Sequence, residues 1–502
     1  MDSFLIILTV IAGALCIYFF GTRNHDYFKK RGIPYMRPIP IVGNAMGIIL
    51  RSKTIVDILQ DLYHSNPEAK YIGFYEFSTP TILLTDPELV KSIAIKNFDS
   101  FPNHKMFVDS AAEPLFQKNL MGLKDDAWKD MRTVLSPAFT SSKMKTMFEI
   151  ISPCAVNLAD YLTPEDLPTE GLDVKDIFGR YTLDVIASTA FGLSLNSLKD
   201  RDNEFYRMGK EIADFSPMKM IKFFIIRNFP WLANLFQIKF FNPKSTDFFI
   251  KVVEDTIATR EAQGIVRPDM IQLMMQARDR KEKSILSSED IAAQAFIFFL
   301  GGFESPSVTL AFASQLLAMN PDVQRKLQTE IDQVLDKSSG KINYEDLHAM
   351  KYLDAVISET LRMFPPTPFT DRVALKTFTL PPPLPGLKPV QIEAGQFVWI
   401  PSYCFHHDPK YFTNPEKFYP ERFNEDNKSD INPLTYLPFG IGPRMCIANR
   451  FALMEVKLAL FHVLAKCNLL PTPKTPSVIE LCTKTIFMIP KGGFQLKVEP
   501  RS

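Results

Sequence analysis

The sequence predicts an α+β protein that is mainly helical, has a smaller β-rich part, and is preceded by one amino-terminal transmembrane helix. Helical spacing of apolar residues dominates residues 128–335, with long amphipathic stretches at residues 254–278 and 288–320. Short β-branched and aromatic runs lie within residues 69–85 and again near the carboxyl end. An uncharged apolar run, residues 4–20, precedes both parts.

The apolar run at residues 4–20 contains a single polar residue, Thr9. Its length is near the lower limit for a helix that spans a bilayer. A cleaved signal peptide is the alternative, but Asp2 stands where a basic leader would be, and basic residues follow the run at Arg23 and residues 29–31. We therefore expect a retained anchor whose carboxyl side lies in the cytoplasm.

The composition describes an ordinary globular chain that can build a large core, with 46% hydrophobic and 23% charged residues among 502. The net charge of +1 provides no positive field for phosphates, which argues against a nucleic-acid partner. Six cysteines are scattered without a C-x-x-C pair, so we expect a reducing compartment and no structural disulfides. The 42 phenylalanines suit a large apolar cavity.

Closely spaced prolines in residues 33–43 predict a stiff hinge, because proline cannot continue a helix. The hinge separates residues 1–32, the membrane anchor and its basic flank, from a single folded body at residues 33–502.

Within that body, residues 71–75 and 81–84 have the pattern of two strands of a hairpin, with a turn at Pro80. Beyond Pro381 the sequence is proline-rich and irregular. A helix is predicted at residues 447–466, followed by short strands.

The most specific motif is a loop rich in glycine and proline that leads to Cys446. A helix amino terminus favours a thiolate over a thiol, and Gly440 and Gly442 allow a tight turn towards the sulfur. Arg444 lies where a cation can meet an anionic part of a ligand. With Phe439, these residues form the pattern F-x-x-G-x-R-x-C, which resembles the haem-binding signature of the cytochrome P-450 superfamily.

The resemblance covers essentially everything from residue 33 onwards and implies the cytochrome P-450 fold, a large helical lobe with a small β-rich lobe. It makes residues 33–502 a haem-thiolate catalytic domain and Cys446 the axial ligand to the iron of haem b. The sequence is most similar to microsomal insect members that metabolise xenobiotics, judged by the context of residues 302–304 and 446–448. Ala448 replaces a glycine that most members carry, which adds a methyl group without removing the ligand.

The resemblance also implies a set of residues that contact haem. Trp128 and Arg132 form W-x-x-x-R, which in the family donates to a haem propionate, although the pattern alone is common in amphipathic helices. Arg372 and Arg444 match the other propionate partners. The full set of haem contacts is Trp128, Arg132, Gly301, Arg372, Phe439, Gly442, Arg444 and Cys446.

Glu359 and Arg362 form E-x-x-R, which alone would be an exposed pair on one helical face. The segment around Arg422 matches the superfamily's second signature. The resemblance implies a buried network in which both arginines satisfy Glu359, so Arg422 should be structural.

Residues 298–306 match the family's acid–alcohol motif, with Glu304 and Ser305 as the catalytic pair that organises water for proton delivery. Gly301 and Gly302 would leave room for dioxygen. Serine replaces the usual threonine and lacks the methyl group that restricts its rotamer. Pro306 should free the Gly302 carbonyl and kink the helix, and a kinked core helix is the alternative interpretation.

Apolar segments are candidates for lining the substrate cavity, with ordinary core packing as the alternative. Polar anchors are nearly absent among them, which favours a lipophilic substrate that is held loosely. The candidates are Phe101, Phe107, Phe116, Leu120, Phe215, Ile297, Phe298, Thr367, Phe369, Ile486 and Phe487. Residues 215–246 interleave basic and aromatic residues without an acidic one, which indicates a second membrane contact or, alternatively, a solvated basic face.

The resemblance implies a monooxygenase that inserts one oxygen atom from O2 into a lipophilic small molecule such as an insecticide, plant allelochemical, terpenoid or steroid. NADPH-cytochrome P-450 reductase would supply the electrons, with cytochrome b5 as a further candidate partner. The basic contacts would include Lys129, Lys143, Lys145 and Arg450. The expected location is the endoplasmic reticulum membrane, with the catalytic domain on its cytoplasmic face.

Two alternatives remain open. A haem-thiolate isomerase or dehydratase would act on peroxides without a reductase, but such relatives typically lose the acid–alcohol pair. A non-enzymatic membrane carrier of haem or lipophiles would need neither that pair nor a thiolate ligand.

Overall fold

The computed structural model describes residues 2–105, 113–164, 167–168, 170–214, 216–279, 286–485 and 488–501. Within these ranges the chain is mainly helical with small sheets, which confirms the predicted fold class.

The helices of the amino-terminal half include a long series that follows the first hairpin. They are α1 (Asp2–Thr22), α2 (Tyr27–Arg31), α3 (Met46–Ile49), α4 (Ile55–His64), α5 (Pro87–Lys91), α6 (Pro114–Gln117), α7 (Asp125–Leu135), α8 (Ser141–Tyr161), α9 (Val174–Ile186), α10 (Glu204–Ala213), α11 (Pro217–Asn228) and α12 (Pro230–Leu235).

The remaining helices include the longest in the chain. They are α13 (Pro243–Gln263), α14 (Met270–Asp279), α15 (Ser288–Met319), α16 (Pro321–Lys337), α17 (Tyr344–Ala349), α18 (Lys351–Met363), α19 (Ser402–His407), α20 (Glu425–Lys428) and α21 (Asn449–Lys466).

The strands are short. They are β1 (Tyr71–Glu76), β2 (Thr79–Leu84), β3 (Leu172–Asp173), β4 (Thr370–Val373), β5 (Phe378–Leu380), β6 (Val390–Ile392), β7 (Phe397–Ile400), β8 (Cys467–Pro471) and β9 (Gln495–Pro500). In the described part of the chain they form three small sheets, ordered β1-β2-β7-β4, β3-β9-β8 and β5-β6.

The hairpin of β1 and β2 is present, but its turn is not at Pro80. Pro80 lies inside β2 opposite Tyr75, and the chain turns three residues earlier at Phe77, whose φ is +57°. Proline is tolerated near a strand end where no ladder hydrogen bond needs its missing N–H. Its carbonyl accepts a hydrogen bond from Nε2 of Gln396 at 2.8 Å.

The predicted amphipathic stretch at residues 254–278 is divided between two helices. Gly264 adopts a left-handed conformation with φ of +65° and ends α13, and α14 begins six residues later. A glycine in this conformation is a common helix terminator because it has no Cβ to clash.

Helix α1 is apolar and exposed along its length, and the segment Ser3–Arg31 is long and apolar enough to cross a membrane. The basic flank behind it is not separate from the body, however. Phe28 is fully buried and packs edge-on against Tyr75, with ring centroids 5.0 Å apart. The folded body therefore includes α2, which precedes the proline-rich hinge.

Helix α15 forms the centre of the helical part, where it packs against α9, α13, α18 and α21. Ser287 caps its amino terminus in a reciprocal arrangement with Asp290. Most of its side chains are buried on every face, which explains why it is apolar all round rather than amphipathic. Pro306 lies inside the helix, which continues beyond it to Met319.

Candidate active site

Two cavities adjoin one another between α15, the β-rich part and the Cys446 loop. The first has a volume of about 390 Å³ and is lined by Cys446 on one side and α15 on the other. The second has a volume of about 520 Å³ and extends from α15 to β1 and α11. Gly301, Ser305, Thr367 and Phe369 line both cavities, so a molecule in the second would approach a group held in the first.

The loop before α21 directs the Cys446 side chain into the first cavity. Gly442 has φ of +75°, and a Cβ there would lie 2.1 Å from the Ala94 carbonyl oxygen, so a side chain cannot be accommodated. The Cys446 N–H donates to the Phe439 carbonyl at 2.9 Å. Helix α21 begins at Asn449, two residues later than predicted, and its first turn follows the cysteine.

The surroundings of Cys446 act on its thiol in two directions. Desolvation is the largest effect and raises the pKa of the thiol above its usual value, although the Ala448 N–H and the charge of Arg132 act to lower it. The side chain is exposed to the cavity, so its sulfur is available to a ligand. Because the protein alone favours the thiol, a bound metal ion would be needed to hold it as a thiolate.

Cationic side chains surround the same cavity. Arg444 stacks over Trp128 at 4.0 Å and donates from Nε to the Pro102 carbonyl at 2.7 Å. Arg132 donates from Nη1 to the Met445 carbonyl at 2.9 Å. Arg372 lies behind them and donates from Nη2 to the Ile441 carbonyl at 3.0 Å.

None of these three arginines forms an ion pair with a carboxylate of the described residues, although the charges of Asp125 and Asp371 act on Arg444. Nε of Arg372 is buried without a hydrogen-bond partner among the described residues. Burial lowers the pKa of Arg372 to about 10, and burial together with repulsion from Arg372 lowers the pKa of Arg444 to about 9. A group carrying two carboxylates fits these donors, and an open space beside Gly301, where a Cβ would meet nothing within 4 Å, leaves room for its body.

The Glu359 carboxylate is fully buried and joins the predicted residues in one network. Arg362 donates to it from Nε at 2.8 Å and from Nη2 at 3.0 Å, and Arg422 donates from Nε at 3.5 Å. The Tyr419 N–H adds a further bond at 3.0 Å. These contacts satisfy both carboxylate oxygens, which is the condition for holding a charge inside the protein.

His406 extends this network to the Cys446 loop and was not identified from the sequence. Arg362 donates from Nη1 to the His406 carbonyl at 2.8 Å, and the His406 ring nitrogen Nε2 accepts from the Leu437 N–H at 2.8 Å. Burial lowers the pKa of His406 well below its usual value, so the ring is neutral. A single histidine in a helix gives no sequence signal for such a contact.

On α15 the two glycines have different roles. Gly301 faces the open space described above, whereas a Cβ on Gly302 would lie 2.8 Å from Cδ1 of Ile186. Both glycines line the first cavity, so the expectation that they make room for dioxygen stays a prediction, and the missing side chain of Gly302 also allows α9 to pack closely.

The acid and the alcohol of α15 already have partners within the protein. Ser305 donates from Oγ to the Gly301 carbonyl at 2.5 Å, and Glu304 accepts from Nζ of Lys175 at 3.0 Å. Lys175 lies 129 residues away at the start of α9, so no local pattern pairs the two. Glu304 lines the second cavity and Ser305 lines both.

Several residues expected at the substrate cavity do line it. Phe116 lines the second cavity, Leu120 and Phe298 line the first, and Ile297, Thr367 and Phe369 line both.

Phe101 does not line either of these cavities. Its ring is fully buried in the β-rich core, 5.0 Å from that of Phe378, so the prediction was wrong because apolar spacing does not distinguish core from cavity. Phe107, Phe215, Ile486 and Phe487 lie outside the described residues.

The expectation that polar anchors are nearly absent is also wrong. Glu76, Lys105, Arg227, His104 and Asp371 line the second cavity. Apart from the neighbours His104 and Lys105, they come from segments far apart in the chain, so no local pattern brings them together.

Nearly the whole chain is similar to known proteins. The cytochrome P450 family matches residues 33–498. Cytochrome P450 9e2 from Blattella germanica is 45% identical over 518 residues, covering 97% of this chain and 96% of that protein. Probable cytochrome P450 9f2 from Drosophila melanogaster is 41% identical, covering 99% of both chains. Cytochrome P450 6j1 from Blattella germanica is 37% identical, covering 98% of both.

Proposed function

Because the chain belongs to the cytochrome P450 family, whose members are monooxygenases that bind haem through a cysteine thiolate, we propose that Cys446 is its iron ligand. The observation that carries this proposal is the loop geometry, which exposes the Cys446 side chain to the first cavity. When bound, the haem supplies the activation of dioxygen, and electron donation by the thiolate assists it. The decisive measurement is the absorption spectrum of the reduced enzyme under carbon monoxide.

Four side chains would hold the carboxylates of the haem. Trp128, Arg132 and Arg444 line the first cavity, and Arg372 supplies a buried guanidinium behind them. The unpaired Nε of Arg372 and the mutual repulsion of Arg372 and Arg444 support this role. Two carboxylates would relieve both.

Glu304 and Ser305 would govern the proton supply at the boundary of the two cavities. The hydroxyl of Ser305 rests on the Gly301 carbonyl and can turn from it towards water or a bound molecule, since a serine hydroxyl rotates freely. Lys175 holds Glu304 in place from the other side. Ser305 therefore supplies the mobile proton donor, and Glu304 is the fixed acid of the pair.

Replacing Ser305 with alanine should lower the yield of oxygenated product per NADPH consumed and raise hydrogen peroxide release. Substrate affinity should change little, because a lipophilic substrate gains nothing from the hydroxyl. Parallel measurement of product, NADPH and peroxide tests this expectation, and Ser305→Thr should preserve the ratio because threonine restricts the hydroxyl rotamer.

The matched control is Ser307→Ala on the same helix. Its hydroxyl donates to the Phe303 carbonyl at 2.9 Å and is fully buried, away from both cavities. An unchanged ratio of product to NADPH in Ser305→Ala, or an equal loss in Ser307→Ala, would contradict the assignment.

The family implies a redox partner and a lipophilic substrate. We assign the redox partner as NADPH-cytochrome P-450 reductase, with cytochrome b5 as a further electron donor, and the substrate as an insecticide, plant allelochemical, terpenoid or steroid. The exposure of Lys129, Lys145 and Arg450 supports a basic docking face, to which the half-exposed Lys143 would add. Lys129 and Lys145 already pair with Asp126 and Glu345. Titrating such compounds while recording the Soret band identifies the substrate class.

We place the protein in the endoplasmic reticulum membrane, with α1 as the anchor and with the basic flank that includes α2 packed on a cytoplasmic catalytic domain. A second contact through α11 and α12 is supported by exposed apolar side chains there. Met218 is 62% exposed, Trp231 66%, Leu235 68% and Phe236 67%. Apolar side chains at this exposure favour the headgroup interface when basic residues flank them.

A form that begins at Arg23 should fold, bind haem and remain partly bound to membranes through α11 and α12. A form that begins at Ile33 should be less stable by about 3–5 kcal/mol, because it loses the buried Phe28 ring. Membrane flotation and chemical denaturation measure the two effects. Full solubility of the first form, or equal stability of the two, would contradict these expectations.

A further inference from the structure

One end of the second cavity is formed by three charged side chains from distant parts of the chain. Glu76 is the last residue of β1, Lys105 lies between α5 and α6, and Arg227 lies on α11. Their side chains are 12%, 10% and 9% exposed, so each is about nine-tenths buried. We call these three residues the charged end of the cavity.

A single carboxylate serves both cations at this charged end. Glu76 accepts from Nε and Nη2 of Arg227, the latter at 3.2 Å, and from Nζ of Lys105 at 3.1 Å. Asp371 is the neighbouring acid, but it already accepts from the Lys105 backbone N–H at 2.7 Å and contacts Nδ1 of His104 at 2.9 Å. Two buried cations therefore share one directly bound carboxylate.

The groups at this end ionise as a cluster of opposite charges. Burial would lower the pKa of Arg227, but the charges of Glu76 and Asp371 raise it above its usual value. Burial alone would raise the pKa of Glu76, but Arg227 and Lys105 lower it to about 2, so the carboxylate stays charged. Burial lowers the pKa of Lys105 even with Glu76 beside it. A further anion would stabilise the ammonium, because charge pairs act strongly where water is excluded.

Hydrogen-bond donors remain at this end. Nη1 of Arg227 donates no hydrogen bond to the described part of the chain, and Nζ of Lys105 donates only to Glu76, with the Phe397 ring 4.5 Å away. Apolar residues such as Phe74, Phe224 and Ile297 form most of the remaining wall.

We propose that the charged end is a subsite for the carboxylate of a lipophilic acid, whose hydrocarbon part lies along the apolar wall of the second cavity. Guanidinium and ammonium groups bind carboxylates through short charge-assisted hydrogen bonds, and the apolar wall contributes the hydrophobic part of the affinity. This inference rests on the proposed function, since it names the substrate class of the same site.

The test uses the full-length holoenzyme in membranes and begins with the carbon monoxide spectrum, so that a failure of the proposed function is seen separately. The Soret shift is then titrated with dodecanoic acid, methyl dodecanoate and dodecan-1-ol. The acid should bind at least about tenfold more tightly than its methyl ester, as expected for a charge-assisted hydrogen bond. Equal affinity for acid and ester, or no Soret shift with the acid, would overturn the subsite.

Arg227→Met keeps an apolar stem and removes the charge, so it should weaken acid binding about tenfold more than ester binding. Lys222→Met on the same helix is the matched control, because Lys222 does not line the cavity, and it should keep the preference for the acid. If Arg227→Met fails to form the carbon monoxide complex, Lys105→Met replaces it.

Glu76→Gln separates the subsite from a purely structural ion pair between α11 and β1. Removing the competing carboxylate should raise the affinity for the acid and leave the affinity for the ester unchanged. An equal loss of affinity for acid and ester in Glu76→Gln and Arg227→Met would show that the three residues only hold the helix in place.

Discussion

Replacing Cys446 with serine removes the red-shifted Soret band of the reduced carbon monoxide complex. That band depends on a thiolate ligand, and serine has the same shape but an oxygen in place of sulfur. The loop should keep its backbone, because its turns depend on Gly440 and Gly442 and on the bond from the Cys446 N–H to the Phe439 carbonyl. The variant should therefore remain folded and bind haem weakly or not at all, as measured by the spectrum and by the ratio of haem to protein.

Cys482→Ser is the matched control, since Cys482 is a half-exposed cysteine that does not line the first cavity. It should leave the spectrum unchanged. A normal thiolate band in Cys446→Ser would contradict the ligand assignment, and with it the position of haem in the first cavity.

The Cys446 loop was predictable because its determinants are contiguous. Phe439, Gly442, Arg444 and Cys446 lie within eight consecutive positions, and each has a separate physical reason to be there. The helical character of residues 128–335 was predictable for a similar reason, since apolar spacing within one helix is local information.

Contacts between distant segments were not predictable in the same way. Lys175 meets Glu304, and Arg227 meets Glu76, across more than a hundred residues that carry no shared pattern. Close packing between helices was not predictable either. A Cβ on Gly302 would lie 2.8 Å from Cδ1 of Ile186, a contact with α9 that no local pattern shows.

Replacing Glu359 with glutamine should cost about 3–5 kcal/mol of unfolding free energy, because it leaves buried arginines without their carboxylate. Arg362 is fully buried and binds both oxygens of Glu359, and it also donates to the Pro415 carbonyl at 2.6 Å. Glutamine keeps the shape but offers one acceptor oxygen and no charge. Denaturant titration measures the loss directly.

Loss of the Glu359 network should also reach the cysteine loop, because His406 joins Arg362 to the Leu437 N–H. Glu359→Gln should therefore convert more readily to a form without the thiolate band on mild heating. Glu345→Gln is the matched control, since Glu345 pairs with Lys145 on the surface, where both side chains are more than half exposed. It should change neither stability nor spectrum, because exposed ion pairs contribute little. Equal behaviour of the two variants would mean that the buried network does not support the loop, and that the loop depends instead on its own glycines and on the bond to Phe439.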